Sequence, residues 1–467
     1  MKTIVANEWK NLGRDKGLLV ASVFFAAVLI AVSIISVKEV KQSKDNQQKA
    51  QQHMREKWEA IDSMNAHSAA HYGTYLYKPV TAIGNFDEGV YNITGKVLRI
   101  EGHVQNEIVY SEASQSLLMS KFGKLKSSLI LQYIIPLLLI FLAFNSMSNE
   151  KESGRVKLLY LQGATTAQLI ISKSIAIWIY GILLLSITFF VQLLSLPPDY
   201  DQTQRLLLLF VVFALYYYII VIGTIYLSAK LKNNTAVLTM SLAGWMLWTI
   251  FLPKILGNTS EKAFRLPSRQ AFQTAMQEDR AKGIDGHNPS DKREKELKEK
   301  VLKEYNVTDV KDLPINYDGI RMQADEEYGN QVWDKHFGNN YTLLKKQKTF
   351  YQLSGIINPF ISLQNLSMGL CGTDMYHHVH FLQQAELYRR NFIKMLNDRH
   401  AFGGSKTGEW EWTENNEFFK SIKDFEYRNP ALGSLLESYR IDLLCLIGWA
   451  ALITTIVLFK EKKKEYV

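Results

Sequence analysis

The chain has 467 residues, with 54 Lys and Arg against 45 Asp and Glu, and it contains two cysteines. So few cysteines exclude a disulfide framework. The basic surplus lies in short segments beside apolar stretches, so it indicates membrane orientation and argues against nucleic-acid binding.

Six stretches of about 17 to 23 residues carry no charged side chain, and each is near the roughly 20 residues that a helix needs to cross a bilayer. Lipid offers the backbone no hydrogen-bond partner, so these stretches predict helices and not an open sheet. The sequence therefore predicts an α-helical polytopic membrane protein with six transmembrane helices. The predicted spans are Gly17 to Val37, Ser127 to Met147, Ser174 to Leu196, Leu206 to Leu227, Thr235 to Leu252 and Leu443 to Phe459.

The charge distribution predicts the orientation of these spans. If the amino terminus is cytoplasmic, the segments that face the cytoplasm carry 14 basic and 6 acidic residues by count, a surplus of 8 out of the total of 9. We therefore expect a multi-pass protein of the cytoplasmic (inner) membrane with both termini cytoplasmic. The counted segments are 1–16, 148–173, 228–234 and 460–467.

This topology divides the chain into five parts. Two long blocks are expected outside the cytoplasm, where they form one mainly helical domain with a minor β part. The parts are an amphipathic amino-terminal helix with span one (1–37), extracytoplasmic block one (38–126), spans two to five with a cytoplasmic segment at 148–173 (127–252), extracytoplasmic block two (253–442), and span six with a basic cytoplasmic tail (443–467).

Block one begins with a polar, helix-favouring run from Lys38 to Glu59, so span one is predicted to continue outward as a long helix. A strand is predicted further on, with Leu98, Ile100 and Val104 facing a core and with Arg99, Glu101 and His103 facing water.

Histidines in block one are candidate metal ligands. His67 and His71 are four residues apart and share one helix face, and His103 is a candidate third ligand. No Glu follows His67 in an HExxH pattern, so a structural role without metal is the preferred interpretation.

Polar residues inside the spans are candidates for a translocation pathway or for helix packing, and packing is preferred. These residues are Gln132, Pro136 and Asn145 in span two and Gln192 in span three.

Block two predicts helices at Ser268 to Lys282, Asp291 to Tyr305 and Ile320 to Tyr351, with Gly319 breaking the chain before the third. A further helix is predicted to start after Asp374 as its cap. The nearby group of His377, His378 and His380 with Cys371 is again interpreted as structural.

The uncharged stretch from Tyr351 to Thr373 is an alternative seventh span. Its polar residues are costly in lipid, and a crossing here would place the basic tail outside. We therefore predict an amphipathic helix that lies at the interface or packs on the domain.

The stretch GGSKTG from Gly403 lacks the spacing of a phosphate-binding loop, and no catalytic constellation is apparent. No cofactor or metal is therefore assigned to this chain, which is expected to be non-catalytic and to receive energy from another subunit.

Two cytoplasmic segments resemble the type-2 ABC exporter permeases. The first, NEWKNLGRDKG, resembles the family's amphipathic amino-terminal helix, with Val5, Trp9 and Leu12 on one face and Arg14 at its end. The second, 148–173, resembles the family's coupling segment, and Thr165 with Gln168 fits a capping box there. The residues that carry this second resemblance are Glu150, Glu152, Gly154, Leu158, Leu159, Gly163 and Lys173.

Motifs in both outer blocks are similar to a bacterial subgroup of this family that has a large extracytoplasmic domain of unknown function. The motifs are NAHSAAHYGTYLYKP from Asn65, EGHVQNE from Glu101, VKDLPINYDGIRMQ from Val310 and SMGLCGTDMYHHVHFLQQAELYRR from Ser367.

The resemblance implies the permease subunit of an ATP-driven exporter. A separate cytoplasmic ABC ATPase would bind ATP and Mg and press on the 148–173 segment, and a second permease would complete a homodimer or a related heterodimer. Two alternatives remain open: mechanotransmission to an extracytoplasmic partner without translocation, and a membrane-anchored sensor. The substrate is not identified by these residues.

Overall fold

The computed structural model of the chain describes residues 1–108, 124–197, 199–231 and 233–462, and the side chains as far as residue 459. Within this part of the chain, six helices are long and apolar enough to cross a membrane, which confirms the six predicted spans. The helices that contain spans one to six are Lys16–Glu59, Ser127–Glu152, Thr166–Ser195, Tyr200–Lys230, Asn234–Ala263 and Arg440–Phe459.

Spans two, three and four form the centre of the membrane region, whereas spans one, five and six leave most of their surface exposed. Gly181 of span three lies where the three central helices meet. A Cβ at this position would be 3.0 Å from a methyl carbon of Leu139 in span two and 3.2 Å from the Tyr217 ring in span four. The missing side chain therefore allows these helices to pack closely.

Span two contains a π-helical turn at Ile130–Ile134, directly before Pro136. The Ile135 N–H donates to the Ile130 carbonyl in this turn, and Pro136 has no N–H to offer. The Leu131 carbonyl thus loses both helical donors, and the Tyr217 hydroxyl of span four donates to it at 2.9 Å. One buried tyrosine satisfies the backbone group that the irregular turn releases.

Span one is the first part of a continuous 44-residue helix, so the chain continues beyond this span as one long helix, as predicted. At 1.5 Å per residue the helix is about 66 Å long, roughly twice the thickness of the hydrocarbon core. Trp58 near its far end is buried against the Phe392 and Phe419 rings, at centroid distances of 5.3 and 5.7 Å. The helix therefore connects the membrane region directly to a second core.

This second core belongs to the polar domain, which we define as residues 60–108 and 264–439. Two short antiparallel sheets lie in it, β1 (Ser63–Met64) with β4 (Glu414–Asn415), and β2 (Thr74–Tyr77) with β3 (Val97–Ile100). β1 belongs to residues 60–108 and β4 to residues 264–439, so the two stretches of the polar domain share one sheet. In β3 the predicted alternation holds for Leu98 and Ile100, which are buried, but Val104 is 43% exposed and lies in the turn beyond the strand.

The remaining polar-domain elements are helices. Ser268 and Asp374 cap two of them by accepting backbone N–H bonds, and the cap at Asp374 is the one expected from the sequence. The α-helices are Ala66–Tyr72, Tyr91–Thr94, Arg269–Lys282, Ser290–Glu304, Tyr317–Leu353, Pro359–Cys371, Met375–Phe402, Asn416–Ser421 and Leu432–Ser438, with 3₁₀ turns at Ala82–Asn85, Val310–Asp312 and Ser354–Ile356.

Gly319 does not break the chain as predicted, because the third helix begins two residues earlier at Tyr317. A Cβ on Gly319 would lie 2.6 Å from the backbone nitrogen of Ala401. The glycine is required for close approach to the neighbouring helix and not for a turn.

The uncharged stretch before Asp374 forms the 13-residue helix Pro359–Cys371, which is buried on nearly all sides instead of amphipathic. It packs against spans four and six. Its ring contact is Phe360 with Tyr133 of span two and Tyr216 of span four, at 5.0 and 6.0 Å between centroids. At about 20 Å this helix is too short to span the bilayer.

Two buried carboxylates bind the polar side chains of this region. Asp87 accepts from Gln132 at 3.1 Å and from Ser367, while Asp442 accepts from Asn365 at 2.9 Å. Asn365 and Ser367 of the short helix thus have partners inside the protein, which removes the cost of exposing these two side chains to lipid.

Gly369 on the short helix provides a test of this packing. A Cβ there would lie 2.6 Å from the Tyr439 ring, whose hydroxyl is hydrogen-bonded to Asp374. We expect Gly369→Ala to lower the free energy of unfolding by about 1–3 kcal/mol, because the ring has no room to move. The matched control is Gly338→Ala in the helix Tyr317–Leu353, where nothing lies within 4 Å and a gain of up to about 1 kcal/mol is expected. Equilibrium unfolding in detergent micelles measures both changes, and equal effects at the two sites would contradict the packing.

Candidate functional site

Residues 148–165, which precede the helix of span three and which we call the coupling segment, fold as two short helices, Ser148–Glu152 and Arg155–Leu161. Gly154 separates them with φ at +73°, a left-handed conformation that side-chain-bearing residues rarely adopt. A Cβ at this position would meet nothing within 4 Å. The backbone conformation, and not crowding, therefore requires glycine here.

A second left-handed glycine ends the segment. Gly163 has φ at +81°, and the Ala164 N–H donates back to the Leu159 carbonyl, as in a Schellman-type helix end. Thr165 then caps span three. Its hydroxyl accepts from the Gln168 N–H at 3.1 Å, and the Gln168 side chain accepts from the Thr165 N–H at 3.0 Å, so the predicted capping box is present. Both ends of the second helix are thereby defined.

A three-way ion pair joins the coupling segment to its neighbours. Lys173 of span three is 2% exposed, and its Nζ lies 2.9 Å from a Glu150 carboxylate oxygen and in contact with the Glu8 carboxylate of the amino-terminal helix. Burying this ammonium is favourable only because two carboxylates receive it. The sequence resemblance identified Glu150, but its pairing with Lys173 depends on contacts between three separate elements.

Further contacts attach the first helix of the segment to the helix ends on either side of the loop between spans four and five. The Lys151 ammonium donates to the Ser228 carbonyl at 3.2 Å and to the Ala229 carbonyl, at the carboxyl end of span four. A cation is favourable at this end of a helix dipole. Asn149 and Asn234 are hydrogen-bonded at 2.8 Å. The amino-terminal helix, the coupling segment and this loop therefore lie at the same end of the spans.

The second helix of the segment exposes an apolar surface. Leu158, Tyr160 and Leu161 are 60%, 43% and 84% exposed, whereas Leu159 packs partly against the membrane core. Glu152, just before this helix, is also exposed. An apolar helix surface of this kind, rimmed by charge, is typical of a protein-docking site.

The amino-terminal helix, Lys2–Arg14, packs against span three. Its apolar contacts are made by Ile4, Trp9 and Leu12, while the predicted face residue Val5 is half-buried and Arg14 is exposed. Sequence reasoning missed Ile4, although it lies on the same side of the helix as Leu12, eight residues later.

The polar residues within the spans are placed as follows. Gln132 binds Asp87, and Pro136 follows the π-helical turn, so both have packing partners. Asn145 is half-buried near the coupling segment. Gln192 is 1% exposed, and neither its oxygen nor its nitrogen has a hydrogen-bond partner among the described residues. A pathway role stays a prediction for these residues.

Two of the three rings in the second histidine group are hydrogen-bonded to other side chains. His377 lies 2.5 Å from Asp374, and His380 bonds the Tyr427 hydroxyl at 3.0 Å. Burial and the nearby Lys78 lower the pKa of His378 to about 3, so this ring is neutral at pH 7. His377 and His380 are thus bonded to different residues, and a structural role stays a prediction for this group.

The GGSKTG stretch also has a structural use. Ser405 is buried, its hydroxyl donates to the His400 carbonyl at 2.6 Å, and it accepts from the Asn316 side chain at 2.9 Å. These bonds hold the turn that ends the helix Met375–Phe402.

Substitution of Lys173 tests the ion pair. We expect Lys173→Met to lower the free energy of unfolding by about 3–5 kcal/mol, because it leaves Glu8 and Glu150 facing each other without a cation. Adding Glu8→Gln and Glu150→Gln to this variant should restore most of the loss, since no unpaired charge then remains. Exposed Lys157→Met is the control and should change stability by less than about 0.5 kcal/mol. If the triple variant stays as unstable as Lys173→Met, the charges are not what joins these elements.

Comparison with known proteins places this arrangement in a family. A family described as ABC-2 family transporter protein matches residues 2–292, which is more than half of the chain and includes spans one to five with the coupling segment. A domain of unknown function (DUF3526) matches residues 269–428, within the polar domain. No significant match was found among curated proteins or among solved structures. The chain therefore belongs to the ABC-2 family of transporter proteins.

Proposed function

We propose that this chain is the permease subunit of an ABC exporter. A separate cytoplasmic ATPase, which binds ATP and Mg, docks on the coupling segment and drives transport. The observation that carries the proposal is the exposed apolar surface of Leu158, Tyr160 and Leu161. A partner that covers this surface removes apolar area from water, at about 25 cal/mol per Å².

The contacts behind this surface support its role in force transmission. Glu150 and Lys151 connect the coupling segment to spans three and four, and Lys173 connects it to the amino-terminal helix. A push on the docked helix therefore acts on several spans together. A flexible loop at this place would absorb the same motion.

The proposed orientation places the coupling segment and both termini in the cytoplasm and the polar domain outside. Its support is the surplus of 8 positive charges in the proposed cytoplasmic segments. Part of the tail counted in this surplus, 463–467, lies outside the described residues. The membrane is proposed to be the cytoplasmic membrane.

We further propose that a second permease chain, identical or related, completes the transporter. Spans one and five expose long apolar surfaces that include Val20, Phe24 and Phe251. These surfaces face either lipid or the second chain. A dimer would give each of two ATPases its own coupling segment.

Mechanotransmission is the second candidate, and one observation favours it. The helix Lys16–Glu59 runs without interruption from the membrane region into the polar domain, where Trp58 is anchored. Motion of the spans would reach an extracytoplasmic partner through this helix without any substrate crossing. Vesicle assays separate the two functions: a labelled substrate accumulates only if export occurs, whereas a partner-stimulated ATPase rate without accumulation indicates mechanotransmission.

Single-cysteine labelling tests the orientation. In a Cys371→Ala, Cys445→Ala background, we expect Asp285→Cys to react with an impermeant maleimide in intact cells, because this exposed position lies in the polar domain. Gln162→Cys, exposed in the coupling segment, should react only after permeabilisation. Labelling of Gln162→Cys in intact cells would reverse the proposed topology.

Variants of the coupling segment test ATPase docking. Gly154→Pro imposes φ near −65° on a position at +73°, and Glu152→Lys reverses an exposed charge. Leu161→Asp places a charge in the centre of the apolar surface. All three should insert normally, because each position lies outside the charge-free stretches predicted to cross the membrane, but they should lose ATPase binding in a pull-down and substrate-linked ATP hydrolysis in proteoliposomes.

The matched control for this experiment is Lys157→Gln, which lies on the same helix and is exposed but is not part of the apolar surface. It should bind the ATPase like the wild type. If Gly154→Pro, Glu152→Lys and Leu161→Asp also bind and transport at the wild-type rate, the segment is not the coupling element.

A further inference from the structure

The short helix Ala66–Tyr72 and the turn after β3 bring three histidines together. His67 and His71 lie one helical turn apart on Ala66–Tyr72, and His103 follows the β3 strand. One ligand nitrogen from each ring lies within 4.8 Å of the other two. The ring centroids of His67 and His71 are 5.4 and 5.1 Å from that of His103.

The spacing between the first two rings is close to that of metal ligands. The Nε2 atoms of His67 and His71 are 3.1 Å apart. Two nitrogens that bind one tetrahedral zinc ion at 2.0–2.1 Å lie about 3.3 Å from each other. His71 is exposed, so its ring has room to rotate. A small rotation can bring its ligand nitrogen closer to that of His103.

A buried carboxylate orients the third ring. Glu326, which is 2% exposed, lies 2.9 Å from Nδ1 of His103, and it also accepts the backbone N–H of the same residue. A second oxygen of Glu326 lies 3.1 Å from the buried Arg389 guanidinium, which holds the carboxylate in place. Because Glu326 occupies Nδ1 of His103, Nε2 is left to bind a metal ion. A carboxylate hydrogen-bonded to the non-ligating nitrogen is the usual arrangement around a metal-bound histidine.

The backbone at His103 indicates a specific requirement for this side chain. Its φ is +63°, in the left-handed region where glycine or asparagine is less strained. The Gly102 N–H donates to the Ala70 carbonyl at 2.9 Å, which brings the turn against the helix that carries the other two histidines. The strained backbone conformation thus occurs at His103, the residue whose imidazole lies beside His67 and His71.

We propose that His67, His71 and His103 form a binding site for one divalent transition-metal ion of the zinc type, with Glu326 positioning His103. Three imidazoles suit zinc and leave a fourth coordination position for water or for a donor atom of another molecule. This site replaces the purely structural role that the sequence favoured. It is independent of the direction of transport and of the ATPase partner.

The test uses the full-length protein in detergent, purified without a histidine tag, stripped with a chelator and dialysed against zinc. We expect about one zinc ion per wild-type chain by elemental analysis, and a rise of the unfolding temperature with added zinc. His71→Ala removes an exposed ligand, and His103→Gly removes a ligand at a position where φ favours glycine, so both variants should fold. Both should bind zinc at least about tenfold more weakly.

His287→Ala, an exposed histidine elsewhere in the polar domain, is the control and should keep the wild-type zinc content and affinity. Glu326→Gln should weaken zinc binding by about 10- to 100-fold while the stoichiometry at saturating zinc stays the same. The proposal is overturned if the wild-type chain retains no zinc, or if His71→Ala and His103→Gly bind zinc as the wild type does. His67 and His71 would then be a hydrogen-bonded pair of rings.

Discussion

The absence of hydrogen-bond partners in lipid is the constraint on which the rest of this structure depends. Where a helix is irregular, the released backbone group needs a partner inside the protein. The Tyr217 hydroxyl of span four donates to the Leu131 carbonyl, which Pro136 leaves without a backbone donor. The constraint also explains why the short helix Pro359–Cys371 is enclosed by protein. Its Ser367 and Asn365 side chains donate hydrogen bonds to Asp87 and Asp442. The membrane region and the polar domain are consequently joined through buried polar bonds as well as through apolar contacts.

Local patterns in the sequence predicted a large part of this fold. Charge-free length located the six spans, and short-range chemistry identified the capping box at Thr165 and the cap at Asp374, because each depends on residues within one helical turn. The predictions that failed depended on distant residues. Gly319 is required by Ala401, and the short helix is buried by spans four and six, so neither environment is visible from the neighbouring sequence.

The same distinction applies to the candidate sites. Glu150 and Gly154 were recognisable from a segment that resembles a family, and a left-handed glycine between two short helices fits that segment. The partnership of Lys173 with Glu8 and Glu150 required the fold, since these residues come from three elements. For the histidines, the sequence indicated His67, His71 and His103, whereas the contribution of Glu326 depends on long-range packing.

The uninterrupted helix from Lys16 to Glu59 has a mechanical consequence. About 36 Å of its roughly 66 Å length extends beyond a hydrocarbon core of about 30 Å. The part of the helix beyond the core is therefore longer than the part within it. A tilt of about 5° at the membrane surface would displace the outer end by about 3 Å, which is half the pitch of an α-helix. Trp58 sits near that end, among rings that pack at fixed distances. A small angular change among the spans is thereby converted into a linear displacement inside the polar domain.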